Sequence, residues 1–163
     1  QAGWHAVIAT NQSGIGRGLV DMTSLNAIHQ HMMKMLAAKG GRIDAVFICP
    51  HVPEDRCTCR KPLPGLMLQI GERWGIDDLS RVPMVCDTLR DVHAARAAGC
   101  EPHVVRTGRA ASWSDAEIAA STAGMADVLV HASLAAFADF VLHREHAAAG
   151  VRGEDSRPQR LDS

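Results

Sequence analysis

Tyrosine is absent from these 163 residues, and the remaining aromatics are three phenylalanines and three tryptophans. A core made from this chain has to be aliphatic, built on Ala, Val, Leu and Met. An excess of one charge is also missing. With 17 Lys and Arg against 18 Asp and Glu, the formal net charge is −1, which favours neither nucleic acid nor a membrane surface as partner. No apolar run reaches the roughly 18 residues of a spanning helix, and no secretory leader is recognisable. The expectation is a soluble, cytoplasmic, monomeric protein. A paired disulfide framework is lacking too: five cysteines are an odd number, and three of them cluster, which reads as a metal site in a reducing compartment. Finally, Gln1 to His5 offer no start methionine, turn or cap before an apolar strand begins, so the chain is expected to be cut off at its N-terminus.

What is present centres on Cys49-Pro50-His51-Val52-Pro53-Glu54-Asp55-Arg56-Cys57-Thr58-Cys59-Arg60-Lys61-Pro62. Cys49, His51, Cys57 and Cys59 place thiolate and imidazole donors at the close spacing that a tetrahedral Zn2+ site uses. Four protein ligands close the coordination sphere, so the expected zinc is structural and the chemistry lies beside it. Arg60 and Lys61 follow at once, on a loop whose course the metal would fix, and two cations held rigidly suit a phosphate.

The rest alternates strand, polar turn and helix, the pattern of an α/β fold with a parallel sheet. Residues 6–10 form an apolar strand that runs into Asn11-Gln12-Ser13-Gly14, with Gly14, Gly16 and Gly18 keeping the loop permissive. Thr10, Asn11, Gln12 and Ser13 could offer donors to a phosphate at this strand end, with Arg17 adding charge. Residues 23–39 predict a helix carrying Leu25, Ile28, Met32, Met35 and Leu36 on its apolar face, with Thr23 as N-cap. His29 and His31 lie two apart on that helix and are expected at its surface.

A second strand, 45–48, delivers the cysteine–histidine loop, and a helix follows over 66–74. The third strand, 83–87, ends in Asp87, a hard oxygen donor suited to Mg2+ at that position, although an Asp there is equally a helix cap. Asp87 and Asp91 then stand at the start of a helix over 88–98 that Gly99 stops. Residues 103–105 read as a strand, Ser114 and Glu117 as a capping box, 126–130 as a fifth strand, and Ser133 as the start of a last helix. Beyond His143 no period persists, so 143–163 is expected to be a disordered tail behind one domain over 1–142. Cys100 and Trp113 carry no assignable chemistry.

Thr10-Asn11-Gln12-Ser13-Gly14, Cys59-Arg60-Lys61-Pro62 and Asp87 with Asp91, each after a strand and in this order, resemble motifs two, three and four of the haloacid dehalogenase superfamily. The loop C-P-H…C-x-C-R-K-P is similar to the branch whose members hydrolyse heptose bisphosphate or histidinol phosphate. Ser13 to Gly18, Pro62 to Gly65 and Val105 to Gly108 are closer to its heptose side. The resemblance implies a three-layer Rossmann-like fold, a Mg2+-dependent phosphatase, and a small phosphorylated sugar as substrate. It implies further that Thr10 and Lys61 act on the phosphoryl group. Asn11, Gln12, Ser13, Arg60 and Thr88 would meet substrate, Asp87 would hold Mg2+, and Cys49, His51, Cys57 and Cys59 would hold Zn2+.

The family's nucleophile and general acid come from an Asp-x-Asp at the end of its first strand, and no Asp-x-Asp occurs in this sequence. That strand belongs between the one ending at Thr10 and the one ending at Asp87, so both neighbours are expected to show unpaired edges. Cys86 stands where the family usually has Gly before the metal-binding Asp, and its larger side chain is expected to crowd a close backbone approach there. Two readings follow: a phosphatase fragment without activity alone, or a zinc-stabilised domain that has lost its chemistry.

Overall fold

The computed structural model describes residues 3–125 and 127–154. β1 (Val7–Asn11) runs into a single helical turn, α1 (Ser13–Gly16), and then α2 (Met22–Ala37). β2 (Ala45–Cys49) leads through a 3-10 turn at Pro53–Asp55 to α3 (Gly65–Trp74), and a further 3-10 turn at Leu79–Arg81 precedes β3 (Pro83–Cys86) and α4 (Leu89–Ala97). β4 (Glu101–Val105), a 3-10 turn at Gly108–Ser112, α5 (Asp115–Ser121), β5 (Leu129–His131) and α6 (Leu134–Glu154) complete the order.

Every strand pairing is parallel, in two sheets of order β1-β2 and β3-β4-β5. Asn11 lies opposite Cys49 in the first, and Cys86 lies opposite Val104 in the second. Among the described residues no ladder joins β1 to β3, so each carries an unpaired edge there. Alternation along β4 sorts the layers. Val104 clusters with Cys86 and with Val92 of α4, whereas its neighbour His103 meets Phe137 and Phe140 of α6. A second cluster joins Cys49, Leu66 and Met67 of α3 to Ala94, Ala95 and Cys100, so α3 and α4 share one face and α6 takes the other. Full burial of Leu66 stabilises by about 1.5–3 kcal/mol.

The helices differ from the sequence pattern in instructive ways. α2 is capped by Asp21, whose carboxylate accepts from Ser24 N–H at 2.7 Å, and not by Thr23. Its inward side runs through Leu25, His29, Met32, Met33 and Leu36, leaving Ile28 and Met35 about 60% exposed. Those two sit about 60° and 80° around the helix from Leu25, on the side away from His29 and Met33, at the edge of the stripe a single sheet face can cover. β5 starts at Leu129, because Val128 N–H turns back to the Met125 carbonyl; residue 126 of the expected strand lies outside the described residues. α6 continues past His143 to Glu154, through a stretch read as tail, while 155–163 lie outside the described residues. No described helix is long and apolar enough to cross a membrane.

Candidate functional site

Strands that run parallel end on one edge of their sheet, and the polar turns gather there. The turn after β2 is a knuckle in which the side chains of Cys49, His51, Cys57 and Cys59 all bring a donor atom within 4.8 Å of one another. Cys49 Sγ and Cys59 Sγ are each 3.6 Å from Cys57 Sγ, and His51 Nδ1 is 3.6 Å from Cys49 Sγ and 3.3 Å from Cys59 Sγ. Sulfurs about 2.3 Å from a central zinc stand about 3.8 Å apart in a tetrahedron, so this donor set fits the ion closely. Burial and the neighbouring thiols push Cys59 up to about 12, while at Cys57 burial is outweighed by hydrogen bonds led by the Arg60 backbone, and its thiol falls below the ordinary range. A coordinated divalent ion overrides this and deprotonates its thiols. Gly65 backs the knuckle so tightly that a Cβ would lie 2.5 Å from the Thr58 carbonyl oxygen and 2.8 Å from Cys59 Cα.

The knuckle presents Lys61 to the end of β1. Its ammonium donates to the Ala9 carbonyl at 2.7 Å and meets Asp91 Oδ1 at 2.7 Å, with both side chains about nine-tenths buried. Asn11 secures the backbone of Lys61, donating to its carbonyl at 3.0 Å and accepting from its N–H at 3.1 Å. Gln12 donates to Thr10 Oγ1 at 3.1 Å, and its own N–H reaches the Cys49 carbonyl at 2.7 Å. Ser13 opens α1. Gly16, read as a permissive loop residue, is needed for close approach: its Cβ would stand 2.7 Å from the Pro50 carbonyl oxygen. Thr10, Asn11, Gln12, Ser13 and Lys61 are thus neighbours at one strand end, with Asn11 and Gln12 serving the loop's own architecture. Arg60 turns beside them, donating to the His51 carbonyl at 3.1 Å.

Asp87 follows β3, and its Oδ2 accepts from Arg109 N–H at 3.2 Å. Gly108, at φ +62°, packs so closely that a Cβ would collide with that oxygen. One carboxylate oxygen is therefore engaged by the turn after β4, and a hard oxygen donor in this position fits Mg2+, which takes one or two carboxylates together with substrate phosphate. The cap of α4 is Thr88, not Asp87: its hydroxyl donates to Asp91 Oδ2 at 2.6 Å and accepts from Asp91 N–H at 3.3 Å. Cys86, the last residue of β3, is buried in the core, 2% exposed among Val92, Val104 and Ala110, where burial and then Asp91 push its thiol up to about 12.

A groove of about 420 Å³ opens beside the knuckle, walled by Pro53 and Leu63 and lined by Arg56, Arg60, Lys61 and Arg90 with no carboxylate. Arg56, held at φ 47°, and Arg90 are exposed, and no ion pair engages either among the described residues. Neither stood out in the sequence, because isolated surface arginines have no local signature; only the fold gathers them. His29 and His31 join no cluster of metal-binding side chains among the described residues.

Comparison with known proteins gives a consistent picture. A family model described as HAD-hydrolase-like matches residues 58–132. The D-glycero-beta-D-manno-heptose-1,7-bisphosphate 7-phosphatase of Bordetella bronchiseptica is 56% identical over 108 residues, covering 66% of this chain and 60% of that protein. The enzyme of the same name from Pseudomonas aeruginosa is 48% identical over 109 residues, covering 67% and 61%. The chain thus spans about three fifths of the length of these curated relatives. Among solved structures, D,D-heptose 1,7-bisphosphate phosphatase from B. bronchiseptica, complexed with magnesium and phosphate, matches with a TM-score of 0.79 at 46% identity, covering 88% of this chain and 77% of that one. The Burkholderia thailandensis counterpart matches with a TM-score of 0.63 at 44% identity, covering 86% and 77%.

Proposed function

Because this chain belongs to the HAD-like hydrolases, we propose that its fold serves a Mg2+-dependent phosphatase acting on D-glycero-D-manno-heptose 1,7-bisphosphate. The observation that carries this reading is Lys61, an ammonium lodged between the end of β1 and the start of α4 and braced from behind by the cysteine–histidine knuckle. Phosphoryl transfer needs donors and cations already in position for the charge on the phosphoryl oxygens. Lys61 supplies the fixed cation, and the Thr10 hydroxyl and the backbone N–H groups of Ser13 and Gly14 supply donors. Asp87 would hold Mg2+, which when bound neutralises charge on the phosphoryl oxygens. Cys49, His51, Cys57 and Cys59 would hold a structural Zn2+, keeping Arg60 and Lys61 in register. The groove lined by Arg56, Arg60, Lys61 and Arg90 suits the second phosphate of a bisphosphate.

No Asp-x-Asp occurs in the sequence, so these residues provide recognition and electrostatics and the nucleophile is not among them. The test is to titrate the zinc-loaded chain with heptose 1,7-bisphosphate and with histidinol phosphate in the presence of Mg2+, by calorimetry and by phosphate release. The bisphosphate is expected to bind, more tightly than histidinol phosphate and at least about tenfold more tightly than to Lys61→Ala, without turnover. Equal affinity for both ligands overturns the substrate, and phosphate release above the Lys61→Ala control overturns the division of labour.

A further inference from the structure

On the face of the second sheet that α6 covers, away from the site just described, two histidines meet in the interior. His103 is fully buried on β4, and its Nδ1 lies 2.9 Å from Nε2 of His131 on β5, with the rings stacked 5.1 Å apart at 29°. α6 closes over them with Phe137 and Phe140, whose ring centroids lie 4.9 and 5.7 Å from that of His103 and 5.6 and 5.1 Å from that of His131. The other nitrogen of His103, Nε2, is buried without a hydrogen-bond partner, and its nearest charged group is Glu101 Oε2 at 3.5 Å. Glu101 is itself clasped by Arg144 of α6, which donates to its two oxygens at 2.7 and 2.8 Å.

With both rings neutral, one arrangement of protons satisfies the cluster: His131 Nε2–H donates to His103 Nδ1, and His103 Nε2–H faces the Glu101 carboxylate. Protonating both rings places two N–H groups head to head across 2.9 Å, turning a hydrogen bond into a clash of like charges. Among the described residues, the charged groups facing the pair are Glu101 from β4 and Arg144 from α6. Arg144 already occupies the carboxylate, so Glu101 cannot offset two imidazolium charges.

We propose that His103 and His131 form an acid-sensitive latch that docks α6 on β4 and β5 at neutral pH and loosens it on acidification. Burial holds both imidazoles below the ordinary histidine range; at His103 the attraction of Glu101 opposes this, and His131 and Arg144 reinforce it. The unfolded or undocked rings titrate near 6.5, so below about that pH the undocked state binds more protons. The docking stability is therefore complete above about pH 6.5 and is lost as the pH falls toward the lower values of the docked rings. The His131 carbonyl also accepts Arg106 N–H at 2.9 Å, so the latch lies two residues from the Gly108 turn beside Asp87.

Amide hydrogen exchange over residues 134–145, corrected for intrinsic rates, tests the latch on the zinc-loaded chain. Protection is expected to fall at least about tenfold between about pH 7.5 and about pH 5 in the natural chain. In His131→Gln, whose amide still donates to His103 but cannot titrate, only the buried His103 remains to respond, and the loss is expected to be at least about threefold smaller than in the natural chain. Any acid response of the cysteine–histidine knuckle is common to both chains and cancels in the comparison. Unchanged protection in the natural chain, or the same loss in His131→Gln, overturns the proposal. Independently of any variant, imidazole NMR titration should find both rings below about 6.5, and either ring at or above that value also overturns it.

Discussion

Asn11 uses both ends of its amide on the backbone of Lys61 and so ties together two segments fifty residues apart. Replacing it with Ala leaves a half-buried N–H and a half-buried carbonyl without partners, at a cost of about 1–3 kcal/mol that urea denaturation will show. The sequence marks Asn11 as a polar residue at a strand end, which predicts a phosphate donor. It does not show that the amide is already tied to Lys61 through its carbonyl and one N–H, because the partner comes from a loop that only the parallel pairing of β1 with β2 brings alongside. Thr88 repeats the lesson, with its hydroxyl consumed by Asp91. Cys86, by contrast, spends its side chain on the core among Val92, Val104 and Ala110.

Among the elements, the cysteine–histidine loop was the most legible, because its four donors are close in sequence and need no tertiary knowledge to be grouped. What the sequence hid is how the loop is supported. Gly65 begins α3 and also lets that helix press against Thr58 and Cys59, with space for no side chain. Gly65→Ala is expected to destabilise by about 1–3 kcal/mol, since backbone atoms on both sides must move. Gly41→Ala, where the nearest atom lies 3.6 Å from the added Cβ, should change stability by less than about 0.5 kcal/mol. Thermal melts of the two variants provide the comparison; equal shifts would show that the close packing at Gly65 is unimportant. α2 shows the limit of periodicity: the pattern locates a helix, but the face it buries is set by the surface beneath it, so His29 turned inward and Ile28 outward.

At the scale of the molecule, the alternation of strand, turn and helix was enough to predict an all-parallel α/β fold, and the structure has that form. The separation into two sheets is not written in any local pattern, and it gives Lys61 a second role. Its ammonium spans from Ala9 of the first sheet to Asp91 on the helix after β3, a buried pair bridging the two halves. Lys61→Met strands the Asp91 carboxylate and is expected to cost about 3–5 kcal/mol. It should also uncouple the halves. Trp74 packs beside Phe47 of the first sheet, and Trp113 beside the cluster of Cys86, Val92 and Val104, so their fluorescence reports on each half in turn. Coincident urea transitions in the natural chain should separate in the variant; transitions that stay coincident would remove Lys61 from this bridging role.

The knuckle's donors all fall between Cys49 and Cys59, so the loop that an ion would close is short and its closure requires no long-range contact. Such a site can assemble on the nascent chain before the second sheet has been synthesised, and it can persist, at reduced affinity, when the rest of the domain is denatured. Metal held by both states favours neither, so an ion bound very tightly here would raise the global unfolding free energy by much less than its affinity implies. Tight loading of such a site and a stable fold would be separate properties, and a metal-saturated sample would be no guarantee of a folded one.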